Sequence, residues 1–380
     1  MFKKSLAAVA VLAAFAGSAY AADVTMYGRV DLGLRFTNTD ADKANEGDVN
    51  KFEMASGNYT GSRFGIKGEE DLGNGMKVGF VLENGFTADD GSFSTEGKLF
   101  DRQSSLHLKG SFGEVAFGRM GILNGTAGTF GIGQLSALET GWGDVGNQNL
   151  IWGAGFGSRY DNMVTYATPE FAGAKVIAQY SFGKSHTPDA DDETTQVEGK
   201  PTTDRYAGIG VTYNANNLAL RAIVDTINKK SGDVNLGAKY KDVDDTVRVT
   251  VGGSYDFGVV KPFLAASYFK DGSLSTIPGA DKIGGVYDGY GVVLGANAPL
   301  FGGTLKATAG YLDAEQQNVA AGAQGADVSR FIVGAGYEYK LSKRTVVYAD
   351  AGYGQDDIDN RTDGDKPSYF QAAVGMAHYF

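Results

Sequence analysis

From Val24 to the end of the chain, apolar and polar side chains alternate. In VTMYGRVDLGLRF the positions Val24, Met26, Gly28, Val30, Leu32, Leu34 and Phe36 are apolar or bare, while Arg29, Asp31 and Arg35 stand between them. The split recurs in Phe64 and Ile66 against Arg63 and Lys67, and in Met76, Val78, Phe80 and Leu82 against Lys77 and Glu83. Near the end, Phe331, Val333, Ala335, Tyr337, Tyr339 and Leu341 alternate with Arg330, Glu338 and Lys340. A period of two is that of a strand with unlike faces; an amphipathic helix repeats every 3.6 residues. No helical stretch of convincing length interrupts the pattern. The chain must build sheets, and each sheet must hide one oily face.

A soluble β-sandwich hides that face in a dry core of interlocking aliphatic side chains. Here the face that would line such a core is crowded with ionised groups. The apolar face carries aromatic residues close to strand ends, Tyr27, Tyr213, Tyr268, Tyr311, Tyr337, Tyr339 and Phe380 among them, where membrane interfaces place them. Strands that cross hydrocarbon must satisfy every backbone group internally, which requires a closed barrel. Turn signals agree: LGNG (72–75), SFGE (111–114), PEFAG (169–173), NANN (214–217), DFGV (256–259), FGGT (301–304) and LSKR (341–344) alternate with longer polar stretches. Those stretches include 37–60, 88–99, 184–203, 314–328 and 355–366. The spacing predicts about 16 strands at roughly 22 residues per strand and connection. The expected fold is an all-β, 16-stranded antiparallel transmembrane β-barrel.

Composition removes most other chemistry. There is no cysteine, and His107, His186 and His378 are far apart, so no disulfide, thiol nucleophile, metal centre or cofactor is expected. With 34 Lys+Arg against 45 Asp+Glu and a net charge of -11, the chain lacks the basic face that nucleic acid requires. Residues 1–21 read as a secretory leader: Lys3 and Lys4, a short apolar run from Leu6 to Ala16, then Ala19-Tyr20-Ala21 as a cleavage site. Residues 22–380 are expected to form one barrel domain.

Five segments carry a family likeness: VTMYGRVDLG (24–33), GSRFGIKGEEDLGNGMKVGFVLENGF (61–86), FDRQSSLHLKGSFGEVAFGR (100–119), SRYDNMVTYATPEFAG (158–173) and LSKRTVVYADAGY (341–353). An aromatic last strand, FQAAVGMAHYF, follows. Together they make the sequence resemble Gram-negative outer-membrane porins of the trimeric general-diffusion type. The resemblance implies a homotrimer with three water-filled pores for the passive diffusion of small hydrophilic solutes and ions, in contact with outer-membrane lipid and lipopolysaccharide. It also implies that the outer-membrane assembly machinery reads Phe380.

The functional site that follows is a constriction. The connection 120–157 is too long and too apolar for an ordinary exposed loop, with Leu123, Phe130, Ile132, Leu135, Leu138 and Trp142. By resemblance it is the third extracellular loop, folded into the barrel. The same resemblance places Arg29, Arg63, Arg102 and Arg159 on a basic wall facing it, with Arg119 anchoring the loop. Alternation supports Arg29, Arg63 and Arg159 as lumenal, but it puts Arg102 with Leu106 and Leu108, so a bulge or loop contact must intervene. Opposite charge is expected from Glu139 and Asp144 on the loop. Local arginines favour anions and the overall acidity favours cations, which leaves the sign of selectivity open.

The acid-rich runs 189–193 and 359–365 read as solvated loop charge, with divalent-cation bridging as the alternative. GTFGIG (128–133) lacks the strand–helix context of a nucleotide loop. An enzyme would need a nucleophile beside a base, and none is evident around His107 or His186. A substrate-specific channel would need a line of inward aromatic rings, which are scattered here. Adhesion through the loops is compatible with a diffusion pore.

Overall fold

The computed structural model describes residues 23–380 except 134, 139–140, 147–148, 184–197, 201–202, 230–243, 318, 320–324 and 362. The expected leader, Glu139 and the acidic run 189–193 lie outside the described residues. The described strands are β1 (Thr25–Asp40), β2 (Val49–Ser56), β3 (Arg63–Gly73), β4 (Met76–Gly85), β5 (Gln103–Gly110), β6 (Gly113–Gly121), β7 (Arg159–Ala167), β8 (Ala174–Ser181) and β9 (Arg205–Ala215). They continue with β10 (Leu218–Asn228), β11 (Thr246–Tyr255), β12 (Lys261–Gly272), β13 (Val286–Leu300), β14 (Gly303–Gln317), β15 (Val328–Lys340), β16 (Thr345–Ile358) and β17 (Ser368–Tyr379). A single helical turn, α1 (Asn149–Trp152), interrupts the connection between β6 and β7.

Apart from β2 and β3, each strand pairs antiparallel with the next, and the ring closes where β17 lies along β1, from Arg29 opposite Tyr379 to Asp40 opposite Ser368. Gly28 and Phe380 exchange two backbone hydrogen bonds of 3.1 Å at the seam. β2 and β3 both pair with β1, at Leu32–Thr39 and Thr25–Arg29 respectively. They are two pieces of one stave, interrupted at 57–62, so the barrel has sixteen staves. Closure leaves no sheet edge for lipid to meet.

The two faces separate as the alternation predicts. On β1, Met26 and Leu34 are exposed while Asp31 is fully buried; on β15, Phe331 and Val333 are exposed while Arg330 and Ile332 are buried. All seven short turn signals fall between consecutive strands at the end of the barrel that holds both termini. Three polar stretches expected to be loops are partly strand, because β1 runs to Asp40, β2 occupies Val49–Ser56, β14 runs to Gln317 and β16 to Ile358. Beyond the lipid the ladder continues with polar side chains, such as Arg35 bonded across to Glu53 at 2.8 Å. Tyr27 also departs from expectation: its hydroxyl donates to Glu83 and its ring lies under Lys67, so it belongs to the ionised face.

Val333 lies near the middle of β15 on the lipid face, and Leu300 beside a turn. Val333→Arg should cost about 2–4 kcal/mol of folding stability and Leu300→Arg about 1 or less, measured by denaturant titration in lipid. Equal costs would misplace the hydrocarbon band.

Candidate pore constriction

The connection 122–158 touches the wall through residues that alternate with the lipid-facing ones. Trp142 covers Gly336, and Val145 covers Gly334 and Gly352 so closely that a methyl group at any of the three would collide with it. Gln371 on β17 donates to the Trp142 carbonyl at 3.2 Å and accepts from the Asp144 amide at 3.1 Å. The guanidinium of Arg330, paired with Asp356 at 2.6 and 2.9 Å, donates to the Leu150 carbonyl in α1 at 2.8 Å. Bare strand positions and a buried ion pair therefore form the seat for this segment. Phe130 stacks on His107 with centroids 5.7 Å apart.

His107 does have hydrogen-bonding neighbours that the sequence did not suggest. Its Nδ1 lies 2.8 Å from Glu114 and its Nε2 2.8 Å from Ser105 Oγ, which also accepts from Gln103. Ser105 and His107 are 6% and 3% exposed, and the Phe130 ring lies on the imidazole. A nucleophile must reach its substrate, and this hydroxyl is closed off, so the row serves to hold Phe130.

Three of the four expected wall arginines converge on one cavity. Arg63, Arg102 and Arg159, with Arg248, line a space of about 380 Å³ bounded also by Thr60, Thr126 and Ser158. Arg102 precedes β5 rather than lying within it, so alternation does not govern its direction. Its Nε donates to Glu83 Oε1 at 2.7 Å; Arg63 Nη1 is 3.7 Å from the same oxygen. Glu83 is thus the shared counter-ion, and its inward place in β4 was visible in the alternation although its role was not. Arg159 donates to Ser158 Oγ at 3.2 Å, and among the described residues its buried Nε meets no acceptor. No acidic side chain lines the cavity among the described residues.

Arg248 was not anticipated. It is 2% exposed, bidentate to Asp225 at 3.0 and 2.7 Å, and its guanidinium lies 4.0 Å from the Phe156 ring centroid. Its alternation with Val247 and Val249 was the available signal.

The remaining expected residues lie around this centre. Arg29 lines a smaller adjacent space of about 100 Å³ with Lys306 and Trp142. Arg119 bonds the Asp101 carbonyl and pairs with Asp161 where the connection leaves and re-enters the wall. The Asp144 backbone is bonded to β17, its carbonyl accepting from Tyr369 at 3.1 Å, and Asp144 is not among the residues that line the cavity. Burial raises its carboxyl above the usual range, with Arg35 pulling it partly back. In the acid-rich run 359–365, Asp363 is tied to the Ala44 amide at 2.9 Å.

A closed barrel, oily outside and ionised within, with a cluster of arginines on its inner face, defines a transmembrane channel. The sequence profile of the Gram-negative porins matches residues 8–360, and the chain belongs to that family. It is 33% identical to an outer membrane porin protein of Bordetella pertussis, over 92% of this chain and 94% of the relative. It is 32% identical to outer membrane porin protein 32 of Delftia acidovorans, over 92% and 89%. Among solved structures it superposes on an anion-selective porin from Comamonas acidovorans with a TM-score of 0.65 and 26% identity, covering 94% of this chain and all of the other. It is therefore an outer-membrane passive diffusion channel rather than an enzyme.

The buried Arg248–Asp225 pair supports a sharp test. Asp225→Asn should cost about 3–5 kcal/mol by leaving a buried charge unpaired, and Asp225→Leu with Arg248→Met much less. Equilibrium denaturation distinguishes them; equal losses would show that the two residues do not act as a pair.

Proposed function

We propose that the channel favours anions, because the cavity of Arg63, Arg102 and Arg159 is its selectivity site. The observation that carries this is the convergence of three guanidiniums on about 380 Å³ of space with Glu83 as the one described carboxylate in ion-pair reach of them. Like charges gathered so closely repel, and they are tolerable only where water or a passing anion offsets them. Low-dielectric walls then focus the field and raise the local anion concentration. Connection 122–158 narrows the lumen at this level, so a small hydrated anion passes against the arginines while bulky apolar solutes are refused. The similarity to a porin described as anion-selective supports the sign.

Three such chains assemble as a homotrimer in the outer membrane, after removal of residues 1–21. Lipid and lipopolysaccharide surround the exposed apolar face, which is the chemistry that face suits.

In a planar bilayer with a KCl gradient, the reversal potential should take the sign of chloride selectivity, and conductance should rise in groups of three steps. Arg159→Gln and Arg102→Gln should each lower the chloride-to-potassium permeability ratio by about twofold or more. A cation-selective wild-type channel would contradict the proposal, as would full selectivity in both variants.

A further inference from the structure

The interruption of the second stave is not a defect in the ladder. Arg29 and Arg63 stand directly opposite each other across β1 and β3, and the next paired position is Leu32 with Ser56. Two residues of β1, Val30 and Asp31, therefore face six on the other side, Gly57-Asn58-Tyr59-Thr60-Gly61-Ser62. The surplus leaves the wall by a turn at Gly57, whose φ of 73° suits glycine. It projects toward the connection 122–158: Gly143 donates its amide to the Asn58 carbonyl at 2.8 Å, and Tyr59 packs edge-on to Trp142 with centroids 5.0 Å apart. Asp31, fully buried, holds the projection by accepting from the Thr60 amide at 2.7 Å, while Tyr348 donates to its other oxygen at 2.8 Å.

This brings the Thr60 hydroxyl between the two opposed guanidiniums. Arg29 Nη1 donates to Oγ1 at 2.9 Å and Arg63 Nη2 at 3.4 Å. Like charges directly across a sheet repel. A carboxylate there would relieve the repulsion and cancel the charge; a hydroxyl orients both groups and cancels nothing. Among the described residues Arg29 has no ion pair; buried Asp31 acts on it only through space, and the Thr60 hydroxyl adds no further counter-charge. Thr60 also lines both spaces, the one of about 380 Å³ with Arg63, Arg102 and Arg159 and the one of about 100 Å³ with Arg29 and Lys306. The smaller has room for about three waters.

We propose that Thr60 is a specificity-determining positioning residue: a neutral clamp that aligns Arg29 with Arg63 and joins two successive stations for a small inorganic or carboxylate anion. This deepens the anion-channel reading and rests on it. Anions handed from the three-arginine station to Arg29, beside a Lys306 that is itself paired with Glu338 at 3.3 Å, cross at the Thr60 hydroxyl, so the clamp sets how steeply the channel discriminates charge.

The test is the reversal potential of Thr60 variants under a KCl gradient, using trimers checked for the folded mobility on unheated gels. Thr60→Val should lower the chloride-to-potassium ratio by about twofold or more. Thr60→Ser should keep the wild-type ratio, and Thr60→Asp should lower it further than Val. In an Arg29→Gln background the Thr60→Val change should disappear, which a general packing defect would not produce. Wild-type selectivity in folded Thr60→Val overturns the inference; should that variant not fold, wild-type selectivity in Thr60→Asp does so. A cation-selective wild-type channel would instead overturn the anion reading beneath it.

Discussion

Every feature of this barrel follows from the cost of leaving a backbone N–H or C=O unpaired in hydrocarbon, several kcal/mol for each group. Strands can meet that demand only by pairing all the way round, and the seam of β1 with β17 completes the circuit. Once the ring is closed, alternation becomes geometry: odd and even residues must look to opposite sides. Lipid takes one side, so the other inherits the charges within the hydrocarbon band, while Lys270 and Glu315 on the outer register lie toward strand ends.

Those inward charges are arranged in two ways. Arg248 with Asp225 and Arg330 with Asp356 are bidentate, almost wholly buried pairs. They neutralise one another and support the connection packed above them. Arg29, Arg63, Arg102 and Arg159 share far less counter-charge, with Glu83 contacting only two of them. The first kind builds the wall, and the second is the source of the field proposed above. Uncharged acceptors, Thr60 and Ser158, take hydrogen bonds from Arg29, Arg63 and Arg159.

Much of this was legible in the residues. The turns, the two faces and the lumenal places of Arg29, Arg63 and Arg159 come from local chemistry and period, which need no partner to be recognised. Arg102 was mis-phased because alternation applies only inside a strand, and it precedes one. The strand Val49–Ser56 and the projection after it were hidden inside a polar stretch, since hydrophobic patterning ends where lipid ends. Asp225 and Arg248 are 23 residues apart, and their pairing is fixed by register between neighbouring strands rather than by anything local. Glu83 was likewise visible as an inward acid, but its two arginine partners arrive from β3 and from the loop before β5. Asp144 shows the same limit, since its neighbours on β17 are 225 residues and more away in sequence.

The chain has no native cysteine, so single introduced thiols report their surroundings directly. The most direct measurement is the rate at which an anionic, membrane-impermeant thiosulfonate blocks conductance through Ser158→Cys, beside the arginine cluster, compared with Val211→Cys on the exposed apolar face. A wet, positive lumen predicts rapid block at 158, slower block by the cationic analogue, and no effect of either reagent at 211. Reaction at 211 with silence at 158 would contradict it.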